Sequence, residues 1–178
     1  MQHTIVSLPE LTLLGIEARF IGALSPGADN LVVIPQLWNG VHARRKEIGN
    51  ALDKYSYGAA KRAPVKQRKH PGEFIYLAGF SVSSEKVVPE GMAKWVVPAQ
   101  TYALFTHKGP VSRLSETISR IYRVWLPRSK YEAADGPEIE RCDERFKMGS
   151  ATSETDFLVP IKPKSARPGA ASRRQAPL

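Results

Sequence analysis

One cysteine, Cys142, stands among 178 residues, so the chain can close no internal disulfide and cannot build a cysteine-based zinc site alone. The four histidines, His3, His42, His70 and His107, lack the spacing of metal ligands. No serine or cysteine nucleophile lies near His107 in the chain, and no glycine-rich phosphate loop surrounds Gly109. Missing too is any apolar run near the ~20 residues of a membrane helix. The opening MQHTIVSLPELTLLGI has neither the basic start nor the small-residue cleavage site of a signal peptide. A cytoplasmic protein with no metal, no cofactor and no membrane contact is therefore expected.

Acidic residues are absent from two stretches, and these account for all of the +9 net charge, the remainder of the chain being slightly negative. Residues 61–70, KRAPVKQRKH, carry five Lys/Arg, and residues 162–178, KPKSARPGAASRRQAPL, carry five more. The first reads as a loop and the second (163–178) as a basic, disordered tail rich in Pro, Ala, Ser and Gly. A solubilising role is the simpler account, and salt-dependent phosphate contact the alternative. Specific DNA binding is not expected, because the first core strand begins too early to leave room for an N-terminal helix-turn-helix.

What remains has a repeating order. Residues 11–24 read as a strand with a bulge near Gly15, and SPGADN as a turn. Ile34, Leu37, Val41 and Ile48 recur at helical spacing beside Trp38, with Asn30 as cap and Pro35 in the first turn. KYSYGAA and EFIYLAGFSV then read as two strands. The second half repeats this. AKWVVPAQTYALFTHKG is one strand kinked at Pro98, and PVSRLSETISRIYRVWLP a helix with Val111, Leu114, Ile118, Ile121, Tyr122 and Trp125 on one face, ended by Pro127. PEIERCDERF and ETDFLVPI close it as strands. The expectation is an α+β fold, a tandem pseudo-twofold βαββ repeat with halves at about 5–85 and 90–162. Its antiparallel sheet carries two helices packed across it and a central ligand cleft where the halves meet.

The segments IPQLW, FIYLAGFSV, VPEGMAKWVVPAQTYALFTHKGP, YRVWLPRSKYE, DGPEIERCDERF and TDFLVPIK together resemble the GyrI-like effector-binding family. The resemblance covers roughly residues 5–162. Members stand alone or follow the DNA-binding domains of AraC- and MerR-type regulators. The resemblance implies a tandem βαββ fold with an aromatic pocket between the halves and a glutamate at its base, receiving flat apolar and often cationic compounds. Glu140 matches that glutamate, and Cys142 stands where the family usually has tyrosine.

From spacing alone, Glu140 is more simply an exposed cross-strand partner of Arg141 or Arg145; the resemblance reverses that preference. Strand alternation places Glu138 and Cys142 on its face, so Glu138 could fill the same role. Aromatic rings around a carboxylate would attract a cation. Trp38, Tyr76, Tyr102 and Trp125 are the candidate ligand-binding rings, with Trp95 and Phe105 behind them, and Tyr102 and Trp125 are expected to face Glu140. His107 and Lys108 read as punctuation between strand and helix, with the histidine partly exposed. Haem ligation by His42 or His107 has no other residue to support it.

The leading expectation is a stand-alone protein that senses or sequesters a planar apolar compound, with cations gaining most. The enzymatic alternative, implied by the resemblance, hydrolyses cyclopropane-containing genotoxic natural products with Glu140 as base and Tyr76 or Tyr102 as acid. A third is an interaction protein that inhibits DNA gyrase. The candidate partners are thus a small ligand, DNA gyrase or a separate regulator protein.

Overall fold

The computed structural model describes residues 1–84 and 86–165; most of the basic tail, from 166 onward, lies outside the described residues. Nine strands form one antiparallel curled sheet: β1 (Thr4–Leu8), β2 (Leu11–Ile21), β3 (Ser56–Arg62), β4 (Glu73–Ser81), β5 (Ala93–Val97), β6 (Gln100–Lys108), β7 (Tyr131–Ala133), β8 (Glu138–Cys142) and β9 (Glu154–Pro163). Their order is β1-β6-β9-β8-β3-β4-β2-β5, with β7 also against β9. Four α-helical segments accompany it among the described residues: α1 (Asn30–Ala43), α2 (Arg45–Ile48), α3 (Leu114–Arg120) and α4 (Leu126–Arg128).

The two halves meet at β3 and β8, where Gly58 pairs with Glu140, Ala59 with Ile139 and Ala60 with Glu138. Side-chain alternation then builds two surfaces. Leu13, Ala59, Leu77, Tyr102, Ile139 and Leu158 fill one face with Trp95 and Val97. On the other face, Leu14, Tyr76 and Ala78 pack under α1, while Ala103, Phe105 and Phe157 pack under α3 and the turns after it. The curl brings bare backbone together at Gly15, where a Cβ would fall 1.8 Å from the Ala78 carbonyl oxygen, so only glycine fits between β2 and β4 there.

Several details depart from the sequence expectation. Residues 93–108 are not one kinked strand. Pro98 and Ala99 separate β5, which pairs with β2, from β6, which pairs with β1 and β9 on the opposite side of the sheet. Proline supplies no ladder donor, and the break lets the chain cross the curled sheet. The short β1 was not anticipated. At the first helix Asp29 occupies the cap position, its Oδ1 accepting from the Ile21 amide at 2.6 Å; Asn30 already belongs to the helix and Pro35 lies within it. The second helix is segmented: a 3₁₀ turn (Val111–Arg113), α3, a π-helical turn (Ile121–Trp125) and α4. Pro127 lacks the N–H that would bond the carbonyl four residues back, which favours the wider ladder before it.

Candidate functional site

A cavity of about 1100 Å³ opens where the halves meet, between α1, α3 and the sheet. Leu31 and Ile34 of α1 wall one side, and Leu114 and Ile118 of α3 the other. Gly58, Ala60, Tyr76, Glu138, Glu140 and Phe157 form the part made by the sheet. Apolar side chains dominate, as expected of a pocket for an apolar ligand.

Two carboxyls face this space from alternate positions of β8. The Tyr76 hydroxyl donates to Glu140 Oε2 at 3.0 Å. The Tyr122 hydroxyl, presented by the π-helical turn, donates to Glu138 Oε1. The remaining oxygens, Oε1 of Glu140 and Oε2 of Glu138, have no hydrogen-bond partner among the described residues. Tyr76 reaches its acid by passing over β3 at Gly58, where a Cβ would stand 1.8 Å from its hydroxyl. A side chain at position 58 would therefore break this contact, and glycine is required for clearance.

Desolvation pushes the Glu140 carboxyl up to about 7; the Tyr76 donor pulls against this, and the negative charge of Glu138 adds to it. The carboxyl keeps some accessible surface because it opens onto the cavity, and water entering there tempers the shift. Burial also raises Glu138, opposed by Tyr122 and by the charge of Arg62. Adjacent same-face positions of a strand lie about 6.6–6.8 Å apart. Two charges about as far apart as those positions repel by about 2.5 kcal/mol at an effective dielectric of ~20. The apolar cavity thus resists full ionisation of both acids. Tyr76 is itself raised, first by burial and then by the charge of Glu140, so it remains a hydrogen-bond donor and is a poor source of a free proton.

Of the sequence candidates, the structure brings Glu140 and Tyr76 together. Trp38 stands behind them, its indole beside the Tyr76 hydroxyl and its ring 5.8 Å from His42, outside the cavity lining. Tyr102 does not face Glu140. It lies on the opposite surface of the sheet with Trp95, and accepts a hydrogen bond from Gln100 Nε2 at 2.7 Å. Trp125 packs on Phe105, with ring centroids 4.9 Å apart, and on His3 beyond the cavity wall. The four expected rings therefore do not converge; the aromatic lining comes from Phe20, Phe74, Tyr76, Tyr122 and Phe157. Glu138, considered as a substitute for Glu140, stands beside it instead. Tyr122 and Gly58 were missed as site residues: Tyr122 was visible as a core-face aromatic, and nothing in the sequence marks Gly58.

The neighbouring candidates are structural. Cys142 shares the face of the acids but lies outside the cavity lining; burial pushes its thiol up to about 12, and its Sγ lies 3.9 Å from the Thr155 hydroxyl. Arg141 and Arg145 pair with Asp156 at 3.2 and 3.0 Å, not with Glu140. His107 is buried rather than partly exposed. Its Nδ1 meets the Thr117 hydroxyl at 2.8 Å and its Nε2 the Pro110 carbonyl at 3.2 Å, which pins β6 to the start of α3. No group of three potential metal ligands occurs among the described residues, and no helix among them is long and apolar enough to cross a membrane.

Comparison with known proteins agrees with this architecture. The transcriptional regulator BrlR of Pseudomonas aeruginosa is 36% identical over 163 residues, covering 90% of this chain and 56% of BrlR. The chain thus spans about half the length of the curated relative it matches. The structure of SAV2435 bound to tetraphenylphosphonium superposes with a TM-score of 0.69 at 14% identity, covering 91% of this chain and 94% of that one. EcmrR in a DNA complex gives 0.64 at 17% identity, covering 91% and 57%. At these identities the two solved structures establish a shared fold. The sequence profile of the GyrI-like small molecule binding domain matches residues 1–162, and the chain belongs to that family.

Proposed function

We propose that the cavity receives apolar aromatic cations, planar ones among them, and that the chain senses or sequesters them. The observation that carries this is Glu140: one carboxylate oxygen is held by Tyr76, and the other opens onto an apolar cavity without a partner among the described residues. A buried carboxylate is costly unless paired, and a cation with apolar surface pairs it while filling the space. Phenol and phenyl rings around it add attraction for the same charge. The relative SAV2435 has been solved with tetraphenylphosphonium, an apolar monocation, which makes that compound a suitable probe.

Isothermal titration with tetraphenylphosphonium should show one site. With burial pushing the Glu140 carboxyl up to about 7, its ionised fraction and the affinity should rise about tenfold between pH 6 and pH 8. Glu140→Gln should weaken binding about 100-fold and flatten that profile, as expected when one partner of a buried charge pair is removed. Unchanged affinity in Glu140→Gln would sink the reading.

Hydrolysis of a strained cyclopropane is the second reading, favoured by the same Tyr76–Glu140 contact. Glu140 would deprotonate water, but the strongly raised Tyr76 phenol suits it poorly to protonate a leaving group. Binding without turnover is preferred, and mass spectrometry of incubated substrate would reveal product if the preference is mistaken. Inhibition of DNA gyrase has no feature favouring it among the described residues.

A further inference from the structure

We infer that the cavity accommodates a ligand with two cationic groups, one at Glu140 and the other at Glu138. This rests on the cation-receptor reading and extends it to the class of ligand. Each carboxyl has its own tyrosine, Tyr76 from β4 and Tyr122 from the helical wall, so the two are oriented separately. Each leaves one oxygen toward the cavity without a partner among the described residues. Their backbone positions, two residues apart on β8, are about 6.6–6.8 Å apart, and tyrosines from different elements hold the two carboxyls, an arrangement suited to two cationic groups rather than one compact ammonium.

A single cation would satisfy one acid and leave the other in the same apolar enclosure. That second acid must then stay protonated or remain an unpaired charge, and either state loses the attraction it could supply. Two linked cations ionise both. The nearby basic group, Arg62, does not already fill this role. Its guanidinium lies 5.2 Å from the centre of the Phe74 ring at the exposed rim, and it forms no ion pair with Glu138 among the described residues. Solvent at the rim screens it, whereas a ligand cation inside would be desolvated with the acid. The second acid is also no by-product of the repeat. The β3 positions paired with Glu138 and Glu140 are Ala60 and Gly58, which carry no charge.

The test compares benzyltrimethylammonium with 1,4-bis(trimethylammoniomethyl)benzene, whose nitrogens are spaced much like positions 138 and 140 of β8, by isothermal titration at pH 8. The bis-cation should bind the unmodified protein at least about tenfold tighter. Glu138→Gln, which preserves an acceptor for Tyr122, should remove that advantage and bring the bis-cation to within about twofold of benzyltrimethylammonium. Glu140→Gln should weaken both. Equal affinity of the two compounds for the unmodified protein would overturn the inference, as would a Glu138→Gln loss for the monocation matching that of Glu140→Gln, which would mean one shared cation. Tetraphenylphosphonium run beside them separates the two failures. If it binds through Glu140 while the bis-cation gains nothing, the dication inference falls and the receptor reading stands; if none of the three binds, both fall.

Discussion

The two halves present matching backbone to the cavity and opposite chemistry. About the β3–β8 seam, Tyr76 pairs with Ala60 just as Phe157 pairs with Glu140, so these aromatics occupy equivalent places. One half supplies both acids on β8. The other supplies no acid on β3, only the small residues Gly58 and Ala60, and sends Tyr76 over the gap. A symmetric arrangement would fail for physical reasons. Acids on both central strands would place four carboxyls side by side in an apolar space, and bulky residues on both would close the cavity. The fold therefore divides the labour: charge from one repeat, clearance and a hydrogen bond from the other.

The largest effect should follow from filling the clearance. Gly58→Ala sets a methyl 1.8 Å from the Tyr76 hydroxyl and 2.5 Å from its ring carbon, so the fully buried ring must shift. Overpacking of this kind costs about 1–3 kcal/mol, which thermal denaturation would register as a melting point lower by several degrees. A control in the other half, Ile139→Val on the far face of β8, should cost only about 0.5–1.5 kcal/mol and spare the cavity. If Gly58→Ala proves neutral, the passage of Tyr76 over β3 does not need glycine.

Next comes the charge itself. Glu140 has a raised carboxyl, so the folded protein binds a proton more tightly than the unfolded chain. Its contribution to stability is fully present below the ordinary value near 4.5 and is lost as pH climbs to about 7. At pH 8 the ligand-free protein holds this acid ionised at a cost. Glu140→Gln should then raise stability by about 1–2 kcal/mol at pH 8, the figure discounted for water in the cavity, and much less at pH 5. Urea denaturation at the two pH values checks this, and equal effects at both would contradict it. A stabilising loss of the central site residue is the expected mark of a group placed for binding.

Making the halves alike at the aromatic pair is a gentler change. Tyr76→Phe copies Phe157 and removes the donor that holds Glu140 down, so the carboxyl should move further above 7. Tetraphenylphosphonium affinity at pH 7 should fall about fivefold and recover toward pH 9, since only the ionised fraction has changed. A uniform loss at every pH would instead assign Tyr76 a direct contact with the ligand.

Much of this division could be read in the sequence, and the rest could not for identifiable reasons. Periodicity located both helices and the strand pairs, and alternation placed Glu138, Glu140 and Cys142 on one face. Which face looked into the cavity was beyond it. Alternation separates Tyr102 from Phe105 but does not say which surface the helices cover, so Tyr102 was assigned to the wrong side. Trp38 and Trp125 sit on the helices expected of them, yet the exact aim of each ring depends on packing. In the second case a π turn rotates the segment so that Tyr122, not Trp125, reaches an acid. Gly58 carries no signal of its own because its role appears only once β4 is laid beside it.

The smallest effects should come from aromatics on the far side of this comparison. Tyr102 is fully buried and its hydroxyl meets Gln100, but the sheet itself stands between it and the acids. Tyr102→Phe removes one hydrogen bond, worth about 0.5–1.5 kcal/mol of stability, and should leave cation affinity within about twofold at every pH. The same indifference is expected of Trp125→Phe, whose ring packs on Phe105 outside the cavity. Tyr76→Phe and Tyr102→Phe remove the same atom from opposite faces of one sheet, so the pair separates a local contact with Glu140 from a general loosening of the fold. A fivefold loss in both would mean the sheet transmits the change, and the cavity could no longer be treated as the property of a single face.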